Sequence, residues 1–156
     1  IDSTYDEYVF KFIDIHPATD NVNFTFQGNA AGGSGYNETI TSSWFVAYQD
    51  EAGTATSLEY NAGNDQAQGT GFNTLQDACG NDNDHSLAGY LHLFNPSSTT
   101  FVKHWVARCN RSHQADYTGD AFAAGYFNTT SAIDEIQFKF SSGNTDAGTI
   151  KLYGVT

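Results

Sequence analysis

The sequence has few cations, only two cysteines, no methionine and no long apolar run. Its 156 residues include six Lys and Arg against 18 Asp and Glu, for a formal net charge of −12. Six scattered cations cannot form a basic patch, so binding to nucleic acid and docking on an anionic membrane are both disfavoured. No apolar stretch is long enough to span a bilayer.

Methionine is absent even from position 1. Because translation begins with Met, we expect the chain to be the C-terminal or ordered part of a longer protein. Its length suits one domain of common size. We therefore predict a single β-sandwich domain over residues 1–156.

Two cysteines are too few for a disulfide framework. Cys79 precedes a Gly-Asn turn and Cys109 closes a predicted strand. The two can form a disulfide with each other, or they can be two separate buried thiols.

Aromatic residues are abundant, and they favour strands. Aromatic and charged residues each make up 15% of the chain, whereas ordinary domains carry about 25% charged residues. Aromatic and β-branched side chains suit a pleated, half-buried surface. Alternating apolar segments separated by turn residues predict about eight or nine strands, and thus an all-β antiparallel sandwich or jelly roll. The segments are 8–15, 22–27, 41–49, 72–75, 87–94, 99–109, 121–128, 133–140 and 149–153.

Three further features of these segments give testable expectations. Both faces of segment 8–15 are largely apolar, which predicts a strand inside a packed sheet. Alternation over 22–27 predicts a half-buried strand with one wet face. Residues 50–71 are polar and glycine-rich, which predicts a long loop with at most a short strand.

No catalytic motif is present. The chain has neither a Gly-x-Ser-x-Gly elbow nor a phosphate-binding Gly-x-x-x-x-Gly-Lys loop. Many carboxylates occur, but no pair is singled out for glycoside hydrolysis. His92 and His104 flank a predicted hairpin turn and could share a metal. We predict a protein that is not an enzyme, with a carbohydrate-active enzyme on the same scaffold as an alternative.

Binding is better supported by the residues present. Tyr36, Tyr60 and Tyr117 lie in polar, glycine-rich segments predicted as loops, and exposed rings stack on sugars while nearby polar groups bond the hydroxyls. Asp82 and Asp84 crowd a turn with hard oxygen ligands of the kind calcium selects. The same residues are also ordinary turn formers. We predict no cofactor other than this possible Ca²⁺.

Parts of both ends and the middle of the chain resemble small β-domains in virion proteins of tailed phages, particularly marine cyanophages. The segments that carry the resemblance are 89–98 with the following Lys103, 125–130 with the strand around Ile133, Ile136 and Phe138, 142–155, and the opening 5–17. These residues are structural in kind, with glycines at turns and alternating apolar positions.

The resemblance implies a component of a virus particle that is assembled in the host cytoplasm. We expect an adhesion or receptor-binding module of a tail fibre or similar appendage, whose partners are other virion proteins and a host-surface glycan or protein. The alternative is a capsid decoration protein that binds the shell and its own copies. A homo-oligomer, for example a trimer, is expected in both cases.

Overall fold

Strands follow one another along the whole chain. The computed structural model describes residues 1–156 and contains eleven β-strands and no helix. They are β1 (Glu7–Pro17), β2 (Val22–Ala30), β3 (Ile40–Asp50), β4 (Thr56–Tyr60), β5 (Ala67–Gly69), β6 (Asn73–Cys79), β7 (Leu87–Phe94), β8 (Lys103–His113), β9 (Tyr117–Phe127), β10 (Ile133–Phe140) and β11 (Thr145–Val155). The predicted all-β antiparallel sandwich is confirmed, with more strands than expected. No helix in the structure is long and apolar enough to cross a lipid bilayer.

The strands form one large and one small antiparallel sheet. The large sheet has eight strands in the order β11-β1-β7-β8-β9-β3-β4, with β5 also paired to β3. The small sheet has the order β10-β2-β6. The small sheet packs on one face of the large sheet, and its three strands leave the outer strands β11 and β4 largely exposed.

The core between the sheets is one cluster of 23 buried residues. Strand β1 lies between β11 and β7, as its two apolar faces predicted. Phe10 and Phe12 of β1 make edge contacts with Phe138 of β10, with ring centroids 5.0 and 5.1 Å apart. Nine of the 23 core residues are aromatic, and each aromatic side chain buries a large apolar area.

The face of β2 predicted to be wet is in fact buried. Gln27 is fully buried, and its side-chain amide donates to the carbonyls of Glu38 and Gly71 at 3.0 and 2.8 Å. Loops from elsewhere in the chain cover this side of the small sheet and supply the acceptors. Local alternation could not indicate this cover, because it depends on distant segments.

The predicted loop over 50–71 and the predicted start of the strand at residue 99 were wrong. Residues 50–71 contain β4 and β5, because both pair with β3. The strand expected from residue 99 begins only at Lys103. Ser98 Oγ accepts the backbone N–H groups of Thr100 and Phe101, and such local bonds compete with strand pairing.

Candidate functional site

The face of the large sheet that points away from the small sheet carries the most concentrated set of exposed aromatic and cationic groups. We call it the open face. Side chains alternate between the two faces of a strand. Phe45 of β3 therefore lies on the open face, while its neighbours Trp44 and Val46 are buried in the core. Phe45 is 39% exposed and Val106 of β8 is 41% exposed.

One line of paired residues crosses the open face from β4 to β11. We call it the cross-strand row, and each member is directly opposite the next in the strand pairing. Its members are Tyr60, Phe45, Phe122, Arg108, Tyr90, Lys11 and Lys151. Neighbouring strands lie about 4.8 Å apart, so the seven strands from β4 to β11 give a row about 29 Å long.

The side chains of the cross-strand row touch one another. The rings of Phe45 and Phe122 stack in parallel, with centroids 5.0 Å apart and an interplanar angle of 4°. The guanidinium carbon of Arg108 lies 4.7 Å from the Phe122 ring centroid. Lys11 Nζ lies 4.8 Å from the Tyr90 ring centroid. Stacking and cation–π contacts hold these groups in a fixed arrangement while leaving much of their surface to solvent.

An ion pair fixes the centre of the row. Arg108 donates from Nε to Asp120 Oδ1 at 3.0 Å and from Nη2 to Asp120 Oδ2 at 2.7 Å. These hydrogen bonds raise the pKa of Arg108 above its ordinary value. A bidentate pair of this kind sets the orientation of the guanidinium plane.

Small residues on both sides of the row leave two shallow depressions, which meet at Tyr90 and Arg108. One has a volume of about 230 Å³, and its floor includes Ala124. The other has a volume of about 410 Å³ and lies over Ala88 and Gly89. Each depression combines an aromatic wall with the edge of the Arg108 guanidinium, so it can hold a ring and bond its substituents.

The two histidines of the predicted hairpin do lie on the open face, but they do not face each other. His92 is opposite Val106, and its ring contacts the Glu7 carboxylate through Nδ1. His104 packs against Tyr126, with ring centroids 5.8 Å apart. Each of the two imidazoles therefore contacts a residue other than the second histidine, and the two are not arranged to share a metal.

The three tyrosines predicted to bind ligand do not converge on one site. Tyr36 lies in the loop after β2 and donates a hydrogen bond to Glu135 Oε2 at 3.2 Å. Tyr60 is in β4, on the open face, where its hydroxyl bonds Asp65. Tyr117 begins β9 and packs in the cavity described next. The prediction that Tyr60 and Tyr117 lie in loops was wrong, because β4 and β9 both pair with β3. Only Tyr60 belongs to the cross-strand row.

Tyr117 lines a separate cavity of about 210 Å³ beside the edge of β6. Its ring makes an edge contact with Tyr48, and the buried Arg111 pairs with Asp77 at 2.8 Å in the same cavity. Burial, with the nearby Arg111 charge, lowers the pKa of His113 in the cavity wall. None of the residues that line this cavity belongs to the cross-strand row, so Tyr117 lies at a site separate from the open-face depressions.

Asp82 and Asp84 form a turn. The backbone N–H of His85 donates to the Asp82 carbonyl at 2.8 Å, and the Asp82 side chain is 71% exposed. No three His, Cys, Asp or Glu side chains in the chain come together in a way that could hold a metal ion. The geometry therefore favours the turn over the calcium site.

Cys79 and Cys109 are both buried free thiols, so the disulfide alternative is not realised. They belong to different sheets, and Cys79 Sγ lies 3.6 Å from the Asp77 carbonyl oxygen. Burial raises the pKa of Cys79 to about 12 and also raises the pKa of Cys109. Both thiols therefore stay protonated and unreactive at neutral pH.

Sequence reasoning missed Phe45, Phe122 and Arg108 as site residues. Alternation did place Trp44 and Phe45 on opposite faces of one strand. It could not indicate which of the two faces would be covered, because that depends on where the small sheet lies.

The chain was compared with protein families, curated proteins and solved structures. No family model, no curated protein and no solved structure matches it.

Proposed function

We propose that this chain is an adhesion module that binds a surface glycan on its open face. The observation that supports the proposal is the cross-strand row, which places stacked rings, a fixed guanidinium and two ring-sized depressions on one exposed surface. Aromatic faces stack on the C–H faces of sugars, and the polar groups beside them bond the hydroxyls. The row is long enough for several sugar units of a linear chain.

The setting of this function follows from the resemblance to virion domains of tailed phages. A tail fibre or similar appendage carries many copies of such a module. Weak binding at each site then adds up to firm attachment by avidity.

The test is a binding measurement with two ring deletions. We expect the double variant Phe45→Ala/Phe122→Ala to lose glycan binding, because each lost stacking contact of about 1.5 kcal/mol weakens Kd about tenfold. Binding is measured on an array of cell-surface glycans and then by titration with the strongest glycan. The matched control is Phe101→Ala, which removes a 70% exposed ring from a loop outside the open face. Unchanged binding by the double variant with a normal fold would refute the open face as the site.

A carbohydrate-active enzyme is separated from an adhesin by turnover. The strongest glycan is incubated with the protein, and new reducing ends are counted over time. An adhesin releases the glycan intact, whereas accumulation of shorter products would support the enzyme.

The alternative, a capsid decoration protein that binds the shell and its own copies, is supported by a different observation at the edge of the large sheet. All eleven residues of β11 are exposed, including the apolar side chains of Ile150, Leu152, Tyr153 and Val155. A long unpaired edge strand is a template for pairing with another chain, and natural proteins usually shorten or block such edges. The opposite edge fits that pattern, because β4 has only five residues.

We propose that the occupant of the β11 edge is β11 of a second copy. Two chains with a net charge of −12 repel each other, so contact is favoured where the local charge is small. Strand β11 carries one Asp and one Lys and is locally neutral. Antiparallel pairing would satisfy its free backbone groups and would cover Ile150 and Leu152.

A further inference from the structure

The β1–β11 end of the cross-strand row has an unusual concentration of positive charge. Lys11 of β1 is directly opposite Lys151 of β11, and Arg108 lies two strands away in the same row. Three of the six Lys and Arg residues of an acidic chain therefore stand in one line across one face.

This arrangement is unfavourable for the protein alone. Like charges directly opposite each other in a sheet destabilise the pairing. Although the chain has 18 acidic residues, Nζ of neither Lys11 nor Lys151 lies within 4.0 Å of a carboxylate oxygen. The ion pairs of the structure are His85–Asp82, His92–Glu7, Arg108–Asp120 and Arg111–Asp77.

The other cations have partners of their own. Lys103 is fully buried and donates to the carbonyls of Phe101 and Thr129. Lys139 lies 3.8 Å from the Phe72 ring centroid. Lys11 sits over Tyr90, and Lys151 has no contact with an acidic or aromatic group. Lys139 is also exposed and has no carboxylate partner, but it stands alone. The Lys11–Lys151 pair is thus the one place where two surface cations without an anion lie directly opposite each other.

We infer that the glycan bound on the open face is acidic, a polysaccharide that carries carboxylate or sulfate groups. Its anionic group lies at Lys11 and Lys151, and its rings lie over Phe45 and Phe122. Neutral glycans need no lysine pair, and the net charge of −12 would repel an acidic chain unless local cations offset it. This inference rests on the proposed function and adds the ligand class to it.

The experiment uses acidic glycans, neutral glycans and the double variant Lys11→Gln/Lys151→Gln. On an array that contains uronate, sulfated and neutral glycans, the unmodified protein is expected to bind acidic members. The double variant should bind the strongest of them about tenfold more weakly or worse, and raised salt should affect its binding less. The control is Lys139→Gln, which removes a lysine from the small sheet and leaves binding unchanged.

A stability readout distinguishes a ligand-binding role from a structural one. Removing two opposed like charges should leave the melting temperature unchanged or higher. If the double variant loses stability together with binding, the lysines are structural and the inference is wrong.

The array also separates failure of this inference from failure of the proposed function. Binding of neutral glycans that is lost in Phe45→Ala/Phe122→Ala but unchanged in Lys11→Gln/Lys151→Gln would overturn the acidic ligand alone. If no glycan on the array binds, the adhesion proposal fails as well.

Discussion

Two aromatic residues that are adjacent in the sequence, Trp44 and Phe45, differ in burial and therefore in what they contribute. Trp44 is fully buried, while Phe45, the next residue, is 39% exposed and stacks on Phe122. A buried ring contributes to folding through the area removed from water. In the proposed function, an exposed ring fixed by its neighbours contributes to binding, because little side-chain freedom remains to be lost when a ligand stacks on it.

Hydrogen bonds from two residues, with that of the Tyr8 hydroxyl the largest, lower the pKa of the Asp2 carboxyl. Tyr8 donates to Asp2 Oδ1 at 2.7 Å and the Thr4 N–H donates at 2.9 Å. These bonds, the Tyr8 bond first, lower the pKa of Asp2 from 3.8 to about 2. Since the folded-state pKa lies below the unfolded value, this contribution to stability is complete above about pH 4 and is lost as the pH falls towards 2. We expect Tyr8→Phe to raise the pKa of Asp2 towards 3.8, measured by NMR titration of the carboxyl carbon.

The control for this titration is Tyr5→Phe. Its ring packs edge-on against Tyr8, with centroids 5.8 Å apart, and leaves the hydrogen bond intact. An Asp2 pKa that stays the same in Tyr8→Phe would show that the Tyr8 hydroxyl does not set it.

At the scale of elements, the close approach of β7 and β8 forms the floor of one depression on the open face. A Cβ on Gly89 would lie 2.3 Å from the Arg108 carbonyl oxygen and 2.8 Å from the Cys109 Cα. Both are backbone atoms of the paired strand and cannot move without changing the pairing. Glycine at position 89 therefore allows β7 and β8 to lie close together beside Arg108, the central residue of the cross-strand row.

We expect Gly89→Ala to lower the free energy of unfolding by about 1–3 kcal/mol, the usual cost of overpacking. Urea unfolding followed by tryptophan fluorescence measures it. The matched control is Gly71→Ala, where an added Cβ meets no atom within 4 Å. Equal stability of the two variants would contradict the steric account of Gly89.

At the scale of the whole molecule, two layers of unequal size leave two surfaces without a partner within the chain. One is the open face, and the other is the side of the sandwich where β11 and β10 are both edge strands. The two surfaces adjoin along β11. Pairing of two copies through β11 would keep both open faces accessible and would place them side by side, which suits an adhesin that works by avidity.

The oligomeric state tests this arrangement. We expect the unmodified protein to form an oligomer by analytical ultracentrifugation and Leu152→Asp to dissociate it, because a carboxylate at a buried contact is costly. The matched control is Leu58→Asp, which places the same charge on a 72% exposed residue of β4, at the opposite edge. A protein that is monomeric at all concentrations would contradict self-pairing. Dissociation by Leu58→Asp alone would move the contact to β4.

The sequence by itself determined the fold class and most strand positions. Alternation and turn residues act locally, and β1, β7 and β10 lie close to where these signals placed them. The two apolar faces of β1 even indicated an interior strand. Polar side chains are costly to bury, so apolar and polar residues alternate along a half-buried strand. This alternation can be recognised within a short segment of the sequence.

Only the tertiary structure decided which faces are covered and which residues meet. Gln27 was predicted to be wet, yet loops distant in sequence bury it. Tyr36, Tyr60 and Tyr117 have similar local surroundings in the sequence but lie in different parts of the fold. The cross-strand row joins residues from seven strands by their register, from Tyr60 to Lys151. Register and sheet order arise from long-range pairing, because alternation specifies the faces of a strand but not its neighbours.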